Sequence, residues 1–265
     1  MKLAAYCCWI VVLGVALLLS HVPVVQGGIF DADYDTPTSV ELLAAYPALN
    51  TTEREGNPAI LCPFLRMLER SGRLDEFKDD TGAPVIPTGD LKQAADDFGC
   101  DTTTACGPVI DAVSAGQWFT EAFSFSKLNP FRPSTVDLER LWDAPPVSHE
   151  CGFTFENGEN GVSTDRLEST LGNLLARADL NDGQLVYQDL LDTKNEICAS
   201  EGVEISSAGL IETQLIFAFM GGVERGYVEY DDVAGFLAIN NQVPATKAGQ
   251  QISALYLLQV REETN

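Results

Sequence analysis

Beyond an apolar N-terminal stretch the chain carries five cysteines, Cys62, Cys100, Cys106, Cys151 and Cys198. In an oxidising compartment an odd number of thiols leaves one with a separate task, or with a partner on another molecule. Cys100 and Cys106 close a short loop and suit one pair; Cys151 with Cys198 would make a second, although spacing alone does not fix connectivity. On that pairing Cys62 is the odd thiol. It stands directly before Pro63, and proline suits the first turn of a helix. That puts Cys62 at a helix N-terminus, where unpaired N–H groups and the positive end of the dipole favour a thiolate. A thiolate can ligate a metal or attack an electrophile; the bland alternative is a buried, inert cysteine. Histidine offers little competition. His149 is the only histidine after His21, which excludes a two-histidine metal site, a haem with two histidines, and a histidine dyad beyond the first.

The oxidising compartment is itself an expectation. Met1–Lys2, the apolar run from Tyr6 to Leu19, and the Ser20–His21–Val22–Pro23 break before Gly27 have the three-part form of a secretory signal over residues 1–27, with the domain in 28–265. Cys7 and Cys8 would leave with it, and the protein would be extracellular. No later stretch has the apolar length a bilayer needs. Acidic residues outnumber basic ones, 39 to 16, for a formal net charge of −23. Such a charge argues against nucleic acid or an anionic membrane as partner and is ordinary for a secreted surface. Asn50–Thr51–Thr52 is a glycosylation sequon.

Helical spacing dominates the rest. Residues 28–60 read as an irregular arm with one short helix at 39–46. From Pro63, the residues Phe64, Leu65, Leu68 and Leu74 are apolar, and Gly72 suits a stop. Leu91, Ala94, Ala95 and Phe98 recur at helical intervals, and 107–125 is a weaker helix. Ser134–Thr135–Val136–Asp137 has the form of a capping box before Leu138. Ser163 or Thr164 can cap a helix striped by Leu167, Leu171, Leu174, Leu175 and Ala178. Gly183 is expected to begin another helix through Ala199. Residues 208–220 read as a buried helix, 231–239 and 250–260 as two more, and 226–230 as a short strand or turn. The expectation is one mostly α, compact multi-helix domain with little or no sheet.

Three blocks, in order, resemble the haem-thiolate peroxidase family of chloroperoxidases and unspecific peroxygenases. The first is Cys62–Pro63–Phe64–Leu65–Arg66–Met67–Leu68, continuing through Gly72–Arg73–Leu74 to Val85–Ile86–Pro87. The second is Asp137–Leu138–Glu139–Arg140–Leu141 with Glu159–Asn160–Gly161–Val162–Ser163–Thr164–Asp165–Arg166. The third runs from Asp182–Gly183 through Asp189–Leu190 and Glu196 to Asn240–Asn241–Gln242–Val243–Pro244. The resemblance implies a domain that encloses haem b with Cys62 as the iron's thiolate ligand. Such a ligand pushes electron density toward bound peroxide and favours O–O cleavage. It also implies Glu196 as the acid–base group that moves the peroxide proton. Magnesium would be held by Glu159, the carbonyl of Asn160 and Ser163, a set of hard oxygen ligands. Hydrogen peroxide and a halide or small organic molecule would be the substrates.

The chain departs from that pattern in three places: Leu61 replaces the proline before the cysteine, Asn160 stands at the usual histidine, and Gly161 at the usual aspartate. An asparagine orients peroxide but does not shuttle its protons. Two other readings therefore stand beside the enzyme: a haem-binding relative with little turnover, and a calcium-binding helical module. The last rests on Asp179–Leu180–Asn181–Asp182–Gly183–Gln184–Leu185 and Glu224–Arg225–Gly226–Tyr227–Val228, which look like paired calcium loops in poor register. Gly183 comes one place early, and Leu190 stands where a bidentate glutamate belongs.

Overall fold

The computed structural model describes residues 39–50, 54–80, 82–123, 134–144 and 150–240, with single positions between 252 and 260. The expected leader, Thr51 and Thr52 of the sequon, His149 and most of the stretch 241–260 lie outside the described residues. The described chain is mostly helical, with two small two-stranded sheets. No described helix is long and apolar enough to cross a membrane.

The N-terminal part forms α1 (Ser39–Ala45) and α2 (Pro63–Arg70). Helix α2 begins as its sequence requires, with Pro63 at the first helical position and Cys62 as N-cap. Gly72 follows its end at φ +83°, a left-handed turn that glycine enters without strain. Strand β1 (Val85–Pro87) leads into α3 (Thr88–Asp97), and α4 (Cys106–Phe123) packs against α3.

Ser134 does not cap a helix, which corrects one expectation. Thr135–Asp137 is strand β2, antiparallel to β1, with Ile86 opposite Val136. β-branched Thr135 and Val136 favour extended backbone, and Gln117 of α4 clasps both polar groups of Asp137: its Nε2 donates to the carbonyl and its Oε1 accepts from the N–H. The cap falls three residues later than expected. Asp137 accepts from the Glu139 N–H and starts a 3-10 turn over Leu138–Asp143.

The C-terminal part is two helix–loop–helix units. Helix α5 (Thr164–Ala178), strand β3 (Gln184–Leu185) and α6 (Tyr187–Ser200) make the first. Helix α7 (Ser207–Phe219), the single turn α8 (Gly222–Arg225), strand β4 (Val228–Glu229) and α9 (Tyr230–Leu237) make the second. Strands β3 and β4 pair antiparallel, Leu185 opposite Val228, both fully buried. Gly183 therefore ends a loop rather than starting a helix, a second correction: it sits at φ +84° after Asp182 at φ +51°, and the helix waits for Tyr187. Of the expected stripe on α5, Leu167, Leu174 and Ala178 are buried while Leu175 is exposed.

Helix α2 lies on this second half. Phe64 stacks on Phe219 of α7 with ring centroids 4.7 Å apart, and Phe219 meets Phe236 of α9 at 6.1 Å. Each such buried ring is worth about 1.5–3 kcal/mol. Gly56 lets the incoming chain press on the end of α9: a Cβ there would collide with the Ile239 carbonyl, and the Gly56 N–H donates to Asn240 Oδ1 at 2.8 Å.

Candidate functional site

Disulfides join Cys100 to Cys106 and Cys151 to Cys198, and Cys62 is a free thiol. The sulfur lies deep in the protein, yet the residue as a whole is only half-buried. Burial pushes its thiol up from the ordinary value as the largest influence; the amides of Leu65 and Phe64 oppose this, short of a formed cap hydrogen bond, as does Arg66, while Glu212 adds to it.

Arg66 lies one turn along α2 from Cys62 and is fully buried. Its Nη1 donates to the Ile60 carbonyl at 2.8 Å, and its Nη2 donates to the carbonyls of Leu237 at 2.9 Å and Ala238 at 3.3 Å. Those last two belong to the end of α9, where carbonyls lack helical donors and a cation is favoured. Arg66 Nε has no hydrogen-bond partner. Burial lowers the guanidinium to about 10, opposed by the neighbouring sulfur.

The segment that leads into Cys62 runs beside the second candidate set. The Val162 N–H donates to the Pro58 carbonyl at 2.7 Å, and Thr154 Oγ1 donates to the Leu61 carbonyl at 3.3 Å. The Glu159–Ser163 turn is thus next to the thiol segment, a proximity in space that lies about a hundred residues apart in sequence. Glu159 and Asn160 are exposed. The Ser163 hydroxyl donates to Glu156 at 2.9 Å and accepts from the Arg166 N–H at 3.2 Å, so it caps α5. Among the described residues no three His, Cys, Asp or Glu side chains are grouped to hold a metal.

Glu196 is elsewhere. Its side chain is 56% exposed and takes a hydrogen bond of 2.6 Å from Arg177. It lines a cleft of about 260 Å³ with Glu156, Asp165, Arg166 and Asn173. Two ionisable groups of this region, one of them fully buried, carry no expectation from the sequence. Lys194, fully buried on α6, is paired with Glu212 of α7 and sits 4.7 Å from the centre of the Phe153 ring. Burial lowers the Lys194 ammonium, and Glu212 opposes that shift. A sequence signal for the pair exists: Glu212 is the sole charge in the apolar helix Ser207–Phe219, and Lys194 lies on the stripe of Leu190 and Ile197. A lone charge among apolar residues needs a partner.

On the sulfur side the chain offers what a thiolate ligand would need, a free thiol at a helix start beside a buried cation whose Nε has no hydrogen-bond partner. On the peroxide side they do not. Glu196 is in solvent with its charge already paired, and Asn160 carries no titratable proton. Comparison with known protein families, with curated proteins and with solved structures returns no match.

Proposed function

We propose that this protein is a secreted haem-thiolate protein of the peroxidase type, with Cys62 as the axial ligand. The observation that carries the reading is that Cys62 alone among the described cysteines is unpaired, at the start of α2, in a segment that runs beside the Glu159–Ser163 stretch. When bound, a thiolate-ligated haem supplies cleavage of the peroxide O–O bond and oxidation of a halide or organic substrate. The chain's own part is to hold the sulfur. The α2 amides and Arg66 favour the ionised thiol but are outweighed by burial, so that the proton would have to be lost on binding iron, and the Phe64–Phe219 stack fixes the helix that carries it.

Magnesium at Glu159, Asn160 and Ser163 belongs to the same proposal, supported by the nearness of that turn to Pro58. The assignment of Glu196 as the peroxide acid–base group rests on the resemblance alone. Its exposure and its pairing with Arg177 favour the second reading, a haem-binding protein with slow turnover. A steady-state assay of the haem-loaded chain with peroxide and a phenolic or halide acceptor separates the two. Turnover that disappears in Cys62→Ala supports the enzyme; haem bound through Cys62 without turnover supports the second; a chain that takes up no haem removes both.

A further inference from the structure

The two helix–loop–helix units are joined through their loops by β3 and β4, the arrangement in which paired calcium loops support one another. In such loops, oxygens converge on a cation. Here a cation of the chain takes backbone oxygens at the start of the second loop. In the second loop Arg225 reaches back to its start: Nη2 donates to the Met220 carbonyl and Nε to the Gly221 carbonyl at 3.3 Å. Its guanidinium lies 5.0 Å from the centre of the Tyr227 ring. Gly221 and Gly226, at φ +71° and +72°, turn the chain on either side of α8. Gly222 admits the Phe217 ring where a Cβ would collide with it.

The first loop is shaped by its own backbone hydrogen bonds, with the Asp179 and Asp182 side chains exposed. The Ala178 carbonyl accepts from the N–H groups of Asn181 and Gly183, both at 2.9 Å, and the Asn181 carbonyl accepts from Gln184 N–H. Asp189 Oδ2, on the first turn of α6, accepts from the Val186 N–H at 2.9 Å. The Gly183 carbonyl accepts from Tyr230 N–H across to the second unit at 2.9 Å, which ties the start of α9 to the first loop.

What this lobe holds is α2. Phe64 sits on Phe219, with Phe236 beyond it, and Arg66 grips the final carbonyls of α9. We propose that Arg225 is a built-in cation for the second loop, so that the paired lobe grips the Cys62-bearing helix without any metal ion. The inference does not depend on haem binding at Cys62.

Hydrogen exchange followed by mass spectrometry on the full chain tests it, in calcium chloride, in EDTA, and with Arg225→Met, which keeps an apolar stem and removes the cation. Wild type should show equal protection of 221–237 and of Pro63–Arg70 in calcium and in EDTA. Arg225→Met should raise exchange in both segments by about tenfold or more, the scale of losing charge-assisted hydrogen bonds. Wild-type protection that falls in EDTA, or an Arg225→Met variant that exchanges like wild type, overturns the proposal. Faster exchange confined to the loop, with α2 unchanged, overturns the grip. Should Arg225→Met fail to fold, a calcium titration of the wild-type chain by calorimetry decides: no binding upholds a metal-independent lobe, and saturable binding refutes it.

Discussion

Removing the Glu212 carboxylate leaves Lys194 as an unpaired ammonium, and the structure sets the scale of the cost. The lysine side chain has no exposure, whereas Glu212 keeps 12% of its side chain accessible. Lys194 therefore has no route to water, and the Phe153 ring with the weaker field of Glu201, set against that of Arg166, is what remains to face the charge. Breaking a buried pair from this side costs about 3–5 kcal/mol, a large share of the roughly 5–15 kcal/mol that holds a folded domain. Breaking it from the other side costs less, about 1–3 kcal/mol, because Glu212 at the edge can rehydrate. Glu212→Gln should thus destabilise more than Lys194→Met, and the double variant should be more stable than Glu212→Gln alone.

The pH dependence has a definite sign. Burial holds the folded Lys194 below its unfolded value, so within that window the unfolded chain binds more protons and stability rises with pH. Without Glu212 the folded value drops further and the window widens downward. Urea unfolding of the disulfide-intact chain at several pH values, with a double-mutant cycle, measures both effects. A Glu212→Gln loss below about 1 kcal/mol, the level of an exposed pair, with no steeper gain toward alkaline pH, would refute the reasoning.

Three further outcomes follow from the same geometry. Replacing Cys151 and Cys198 together by serine should cost about 4 kcal/mol, since the bridge closes a long loop with a sequence separation of 47; calorimetric unfolding reads it, and non-reducing peptide mapping should find Cys62 alone alkylated among the five. Asp75 is held below the ordinary carboxylate range, first by its hydrogen bond from Arg54. Its contribution is present above the unfolded value and lost as pH falls through the folded one, so Arg54→Met should flatten the acid limb of a urea titration below about pH 4. Glu196→Gln should change stability by no more than about 1 kcal/mol, because its partner Arg177 also lies 3.6 Å from Asp192; the same urea series checks it.

Much of the helical frame was legible in local spacing. Pro63 and Gly72 mark the ends of α2, and Ser163 caps α5, because these are first-turn and last-turn effects that need no distant partner. The strands were not. Val85–Pro87 and Thr135–Asp137 are too short to show alternation, and what holds the second one extended, its pairing with β1 and the clasp of Gln117, comes from elsewhere in the chain. Likewise Gly183 is followed by apolar Leu185 and Val186 in helical-looking order, and its loop is fixed by pairing with Val228 more than forty residues on. At the site, cysteine arithmetic singled out Cys62 because pairing leaves a remainder. Arg66 was missed: its guanidinium finds its acceptors on α9, a contact that no local pattern encodes. Lys194 carried no expectation, although helical geometry turns it and Glu196 to different sides, one to Glu212 in the interior and one to Arg177 in solvent.

The most direct test of the central claim is the absorption spectrum of the purified chain loaded with haem, then reduced and exposed to carbon monoxide. Ligation by the Cys62 thiolate predicts a strongly red-shifted Soret band that is lost in Cys62→Ala while the two disulfides remain intact. A chain that shows no haem band after reconstitution, or the same Soret band in Cys62→Ala, would contradict it.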